Sequence, residues 1–426
     1  MAGFQKRYSL PFRHAKILLD SRLNDKTNIL FVVHNIFGFS GDAVNERQLA
    51  KALLKRSTLT TYSLVPVLKL AVLADRKHFS KVREETNISF LFPVISLPYS
   101  VSIFSSLLGG LILAIIATFR KPQLVYVRSS MPALPFLLLK RFHKARVIVK
   151  VPALLEDELE FEGLFKFINF DIKIFKKLIN IFDRYILTKS DIIVAHSPLL
   201  YAELIRRRRV KGSHSFVLTP PGIDIKKIDK IQRITKRFYE YKEDDSTILI
   251  GFIGTLIWWQ GVDVLARAVH ILQNIKKYKF KLIIVGDGPL RKTVVSLCRQ
   301  LGVECVVTGY VSHEEALNML ATFDVLVVPR KRISSTECNI PIKIIEAWAL
   351  GIPVVATNHK VFQYFGLRDG EDLVYCDTTP ESIAEAILKT VEDIDLRQKL
   401  RYKGPSIAKK FSYDNIAERL LRKALS

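Results

Sequence analysis

Acidic residues are scarce in this chain. Its 426 residues include 41 Asp and Glu against 65 Lys and Arg, a formal net charge of +24. Such a protein keeps acidic company: nucleotide phosphates, anionic lipid headgroups or nucleic acid. Cysteine is scarcer still. The four present, Cys298, Cys305, Cys338 and Cys376, fit neither a zinc spacing nor a CxxC redox pair. They read as reduced thiols of a cytosolic protein, with Cys298 and Cys305 the one pair that has any case for a bridge. No internal repeat or low-complexity tract stands out. No RNA- or DNA-binding motif is visible, which sets nucleic acid aside as a partner. The first residues, Met1 to Leu19, are basic but lack an apolar centre and a cleavage site, so no secretory signal is expected.

From Ser89 to Phe119 charge is missing altogether. Val101–Phe119 is long enough to cross a bilayer, and Arg120 and Lys121 follow it. Strand-like segments at Ile88–Val94 and Leu124–Val127 flank this stretch, and a span would put them on opposite sides of the membrane. A helix packed in a domain core or lying on a membrane surface is therefore expected.

What is abundant is apolar side chain, 49% of the residues, enough for a large core. A chain of this length favours two domains. Strand-like runs fall at Asn28–Val33, Tyr62–Val67, Leu124–Val127, Arg146–Val151, Asp191–His196 and Phe216–Leu218. Further runs fall at Ile248–Ile253, Lys281–Val285, Cys305–Thr308, Val325–Val328 and Val354–Ala356. Helical stretches such as Asn45–Lys55 and Val262–Gln273 lie between them. Wholly apolar strands alternating with helices predict parallel sheets buried on both faces, here two doubly wound α/β domains in succession. The polar stretch 231–246 is the natural boundary.

Several segments carry candidate chemistry. In Pro341–Thr357 a loop, a helix and a buried strand follow one another, with Lys343 and Glu346 on the first turns of the helix. A helix N-terminus favours phosphate, and an acidic residue near it is well placed for a sugar hydroxyl. In Gly251–Ala268 a strand ends at glycine and a helix opens after Gly261, a geometry that turns backbone N–H groups toward an anion or simply turns the chain. The adjacent Trp258 and Trp259 need something to pack on. In Val285–Arg291, Gly286 allows close ligand approach, Pro289 suits a first helical turn, and Asp287 reads as a turn residue. Val307–Val311 ends a strand on the same expected edge. The run Pro329-Arg330-Lys331-Arg332 follows a strand end, where α/β sheets bind ligands, although basic runs are also ordinary solvated surface.

The last segments lie in the first half. Phe37–Gln48, with Gly38 and Gly41, is a strand–glycine–helix unit whose spacing excludes the dinucleotide fingerprint and hence a nicotinamide cofactor. Its glycines could close over a ligand. Arg128 and Lys150 stand at strand ends and supply positive charge. Glu156, first of the run Glu156-Asp157-Glu158, is placed to activate an acceptor hydroxyl, or else belongs to an acidic helix start.

As an ordered set, GFIGTL…QG, LIIVGDGP, VVTGYV, DVLVVP and KIIEAWALGIPVVAT resemble the retaining glycosyltransferases of the GT-B fold, family four (group 1). The resemblance covers almost the whole chain and is strongest from Gly251 to Thr357. It implies two Rossmann-like domains facing across a cleft: 1–230 on the acceptor side, 231–246 as linker, 247–400 for the nucleotide sugar, and 401–426 as a helix packing back toward the first domain. It implies that Glu346 binds ribose hydroxyls, that Ile340, Pro341 and Lys343 meet the diphosphate and donor sugar, that Gly309 and Tyr310 lie by the base, and that Gly254 and Thr255 lie by the phosphates. Gln260, Gly286 and Arg330 complete the expected donor site. Lys343, Glu337 and Arg128 are the catalytic candidates, and Gly41, Lys150 and Glu156 the acceptor-side ones.

The chain departs from the family pattern in three places. Thr255 stands for a basic residue and Gln260 for a lysine. Cys338 occupies the first position of a glutamate pair, with Glu337 one residue away. Lys150-Val151-Pro152 replaces a segment that often carries histidine. The implied activity is transfer of a hexosyl unit, with retention and without metal, from a nucleotide-diphosphate donor to a hydroxyl. A lipid or lipid-linked acceptor at the cytoplasmic membrane face, with peripheral contact to anionic lipid, is expected from the basic surplus and the charge-free stretch. A sugar-nucleotide epimerase and a non-catalytic nucleotide-sugar-binding subunit are the alternatives on the same fold.

Overall fold

The computed structural model describes residues 27–34, 36–37, 41–66, 76–94, 99–152, 172–208, 215–234, 246–275 and 277–426. Two compact units emerge. One is Ile223–Ser412; the other comprises the described residues from 27 to 222 together with Tyr413–Ser426.

The second of these units is built on seven strands: β1 (Asn28–His34), β2 (Thr58–Pro66), β3 (Ile88–Val94), β4 (Leu124–Arg128), β5 (Arg146–Val151), β6 (Ile192–Ala195) and β7 (Ser215–Leu218). All pairings are parallel, in the order β3-β2-β1-β4-β5-β6-β7. The order reverses direction after β3, the signature of double winding, and places a switch point between β1 and β4. The central strands are apolar throughout (Ile29 to Val33 and Leu124 to Val127 are all buried) because helices cover both faces. The helices are α1 (Gly41–Leu54), α2 (Arg76–Thr86), α3 (Tyr99–Arg120), α4 (Leu134–Leu138), α5 (Lys140–His143), α6 (Ile172–Lys189) and α7 (Pro198–Arg208). The last helix of the chain, Tyr413–Leu425, joins this unit: Ile416, Leu420 and Leu421 share a core with Leu49 and Leu53 of α1.

The stretch expected as a core or membrane-surface helix is α3. It links β3 to β4, two parallel strands of one sheet, so it returns the chain across that sheet. Among the described residues no helix is long and apolar enough to cross a membrane.

The unit Ile223–Ser412 begins with α8 (Ile225–Ile234) and carries six parallel strands: β8 (Thr247–Ile253), β9 (Lys279–Val285), β10 (Cys305–Val307), β11 (Val325–Val328), β12 (Val354–Thr357) and β13 (Val374–Cys376), ordered β10-β9-β8-β11-β12-β13. Around them run α9 (Val262–Leu272), α10 (Arg291–Gln300), α11 (His313–Leu320), α12 (Ser334–Cys338), α13 (Ile342–Leu350), α14 (Lys360–Tyr364), α15 (Pro380–Glu392) and α16 (Ile394–Lys409); the closing Tyr413–Leu425 is α17. Here too the order switches, between β8 and β11. Val325–Val328 is buried without exception and alternates its side chains between two cores, Val325 and Val327 on one face, Leu326 and Val328 on the other. All four cysteines are free thiols, so Cys298 and Cys305 form no bridge.

Candidate anion-binding site

The carboxyl ends of β8, β9 and β11 in the unit Ile223–Ser412 bring together the loops singled out in the sequence. The loops after β8 and β9 are zipped to each other. Gly254 N–H donates to Val285 O (2.9 Å), Leu256 N–H to Asp287 O (2.9 Å) and Leu290 N–H to Leu256 O (3.0 Å). Gly286 has φ +141°, and a Cβ there would stand 2.1 Å from Gly254 O, so no larger residue fits. The short helical turn Trp258–Gln260 then ends at Gly261, whose φ is +71°. A Cβ at Gly261 would lie 1.9 Å from Pro329 O, so this glycine lets the loop close onto the end of β11.

Two buried cations occupy the space so framed. Lys343, in the first turn of α13, places Nζ 3.1 Å from Gln260 Oε1 and 4.4 Å from the Phe252 ring centroid. Burial, with the charge of Arg330 added, pushes its ammonium down to about 7, and Glu346 opposes that shift. Arg330 lies over the Trp259 ring at 5.0 Å and donates from Nη1 to Asn339 O (3.2 Å). Burial pushes its guanidinium down to about 10, and its buried Nε has no hydrogen-bond partner. Among the described residues neither cation forms a salt bridge. Buried charges are normally paired, so two of like sign without a salt-bridge partner leave a site suited to an anion. The N-terminus of α13 adds to it, because Pro341 at the cap position offers no side chain to the first-turn N–H groups.

The departure at Gln260 gains a physical sense here. A neutral amide oxygen accepts from Lys343; a second ammonium at that distance would repel it. Thr255 is exposed at the tip of the same loop. Ile340 is 1% exposed and anchors the loop before α13 in the core, and Pro341 begins the helix.

One turn beyond Lys343, Glu346 is buried and accepts a hydrogen bond at Oε1 from His313 Nε2 (2.7 Å). Lys227 Nζ lies 3.3 Å from His313 Nδ1, on the side of the ring away from Glu346. The capping box of Ser312 and Glu315 sets His313 at the first position of α11. Sequence reasoning missed both His313 and Lys227; the strand-end position of the Val307–Val311 loop was the available signal. Gly309 has φ +76°, and Tyr310 beside it is 72% exposed, an open ring at the edge of the site.

Glu337 is held elsewhere. Its Oε2 accepts from Lys360 N–H (2.7 Å) and its Oε1 lies 3.6 Å from His359 Nδ1. Burial works against its ionisation, but His359 and the Lys360 amide outweigh it and keep the carboxyl below its ordinary range. Cys338, the neighbour at the expected glutamate position, is a buried core residue.

The other unit holds the first-half candidates. Gly41 starts α1, and Glu156 lies outside the described residues. Lys150 is fully buried and donates from Nζ to Glu46 Oε1 (2.6 Å); Arg128 Nε is 3.3 Å from the same oxygen, and Tyr126 OH donates to Glu46 Oε2 (3.4 Å). Glu46 was not singled out from sequence, yet it is the centre of this cluster. His34, at the end of β1, is pushed down to about 4 by burial and by the charge of Arg128. Among the described residues, no group of three or more His, Cys, Asp or Glu could hold a metal ion.

Residues 234–406 match the family described as glycosyl transferases group 1. A lipopolysaccharide core biosynthesis glycosyltransferase of Rhizobium meliloti is 31% identical over 172 residues, which cover 40% of this chain and 47% of the relative. The chain spans about half the length of the curated relatives it matches. Among solved structures, a glycosyltransferase of Rickettsia africae superposes with a TM-score of 0.68 at 18% identity, covering 94% of this chain and 98% of the other. Anabaena HepE, in complex with UDP, gives 0.67 at 14% identity, with 93% and 99% covered. These likenesses show the fold, GT-B with its two Rossmann-like sheets.

Proposed function

We propose that this chain is a retaining glycosyltransferase that moves a hexosyl unit from a nucleoside-diphosphate donor to a hydroxyl of a lipid-linked acceptor. One observation carries the reading: Arg330 and Lys343 are buried at the uncapped N-terminus of α13 and, among the described residues, neither forms a salt bridge. A diphosphate supplies the missing negative charge. In the transfer the bond between the sugar C1 and the phosphate oxygen breaks, the bonding pair leaves with the diphosphate, the acceptor oxygen bonds to C1, and its hydroxyl proton passes to the departing diphosphate. Lys343 and Arg330 stabilise the charge that grows on the leaving group. Glu346, held by His313, accepts hydrogen bonds from the ribose hydroxyls, and Tyr310 offers its ring to the base.

The matched family, the UDP bound by Anabaena HepE and the lipopolysaccharide role of the Rhizobium relative support the donor and acceptor classes. Retention and metal independence belong to the same proposal, as does a reducing, cytoplasmic setting that suits four free thiols. The test is thermal stabilisation by a panel of nucleoside diphosphates and nucleotide sugars, followed by product analysis with hydroxyl acceptors. Stabilisation by at least one diphosphate, abolished in Lys343→Met, is the expected result. No stabilisation by any diphosphate overturns the proposal.

A further inference from the structure

The outer surface of α3 reverses the usual pattern of a surface helix, which turns polar residues to solvent. Its buried side is made of small and apolar groups. Leu113, Ala114 and Ala117 are fully covered, and a Cβ at Gly110 would lie 2.5 Å from Pro132 O, so the helix is pressed against the turn Met131–Ala133. Its exposed side carries Leu108, Leu111, Ile112, Ile115 and Phe119, a stripe at helical spacing whose exposed members are all apolar until Arg120. Phe119 is 81% exposed. The neighbouring α4 and α5 add Leu138 at 61% and Phe142 at 65%, and α6, packed against α4, adds Phe182. Among the described residues, most of the exposed large hydrophobic side chains of the chain lie on these four helices.

Among the described residues of α3 to α6, the exposed charges are basic. Arg120, Lys121, Arg141, Lys144 and Arg184 are exposed on the same elements or directly after them. From Thr86 to Leu155 the sequence contains no Asp or Glu at all, and the one acid of α6, Asp183, is buried. Lys140 is already paired, 2.6 Å from Asp191.

We propose that the α3–α6 face docks this protein onto an anionic lipid bilayer, with α3 lying along the membrane surface. Leu111, Ile115, Phe119 and Phe142 enter the boundary between headgroups and acyl chains, and the flanking Arg and Lys side chains meet the headgroup phosphates. An apolar stripe flanked, among the described residues of these helices, by exposed cations matches that layered chemistry. A soluble protein partner would need a carboxylate-rich rim around an apolar ridge to match it. Each cation near an anionic surface contributes attraction that salt screens, so binding should be strong at low ionic strength and fall as salt rises.

The test is co-sedimentation of the full chain with phosphatidylcholine vesicles, with and without phosphatidylglycerol, in rising salt. The proposal expects binding to the anionic vesicles and little to the neutral ones. It expects at least a tenfold loss in the double variants Ile115→Glu/Phe119→Glu and Arg120→Glu/Lys121→Glu, with Tyr402→Glu, exposed in the other unit, binding as the parent does. Circular dichroism and melting of each variant exclude misfolding as the cause. Absence of binding at low salt, equal binding to neutral vesicles, or parent-like binding by both double variants overturns it. So does a dimer in sedimentation equilibrium that the same substitutions dissolve, which would assign the face to a second copy. The inference stands apart from the donor site: these variants keep whatever stabilisation nucleotides give the parent.

Discussion

Both parallel sheets of this protein gather buried cations at the carboxyl ends of their strands, and they treat them in opposite ways. On the seven-stranded sheet, Lys150 and Arg128 converge on Glu46, and Tyr126 completes its coordination. On the six-stranded sheet, Gln260, two aromatic faces and a carbonyl are the partners of Lys343 and Arg330, and among the described residues neither cation forms a salt bridge. A charge neutralised by its own chain fixes the fold; a charge left without its counterion is held ready for a ligand. The cost is visible in the lowered proton affinity of Lys343, which burial imposes.

The contrast is broken or sharpened most strongly by removing one charge from each site. Glu46→Ala strands Lys150 in a fully buried position and should destabilise the fold by about 3–5 kcal/mol in denaturant unfolding. Lys343→Met removes a charge that burial disfavours and that has no salt-bridge partner among the described residues, so the ligand-free protein should be as stable as the parent or more so. Equal destabilisation by both would end the distinction. Next in size, Arg330→Ala and Lys343→Met should each weaken nucleoside-diphosphate binding by roughly 10- to 100-fold in calorimetry, the worth of a hydrogen bond to a charged group. Loss of Arg128 should leave that affinity unchanged.

A pH dependence follows from the same site. The ammonium of Lys343 is complete below about pH 7 and is lost as pH rises through that value. Diphosphate affinity should therefore be full below pH 7 and fall by up to about tenfold per unit above it, with proton uptake on binding near pH 8. Lys343→Arg should flatten the profile, and an unchanged slope would remove Lys343 from the anion site. The stability of the ligand-free protein should move the other way. Between about 7 and the ordinary lysine value the unfolded chain holds a proton that the folded one does not, so stability contributed at Lys343 rises with pH. The smallest effect belongs to His313→Ala. Freeing Glu346 should cost roughly threefold to tenfold in nucleotide affinity and reduce the preference for ribose over 2′-deoxyribose, as expected for one lost hydrogen bond. An effect equal on both sugars would mean that His313 acts only on stability.

Much of this was readable from the linear chain. Apolar runs located most strands, and the glycines, Arg330, Lys343 and Glu346 were found because they follow strand ends. The strand β13, Val374–Cys376, was missed because three residues after a charged turn give no periodicity to read. The strand β2 starts at Thr58, before the expected Tyr62, because its polar Thr61 is buried and satisfied by donating to Thr86 O (2.6 Å). The partners that define the two charge clusters could not be read. His313 and Glu346 are 33 residues apart, Lys227 and His313 86, and Lys150 and Glu46 104.

The sequence by itself determined that strands and helices alternate, that strand-end loops carry glycine and cations, and that a long stretch lacks carboxylates. These follow from local preferences and composition, which act over a few residues. Only the tertiary structure decided which cation meets a carboxylate, that Glu337 turns to the Lys360 amide, and that the apolar stripe of α3 faces outward. Such pairings depend on distances through space, and strand order, which brings remote segments side by side, sets those distances.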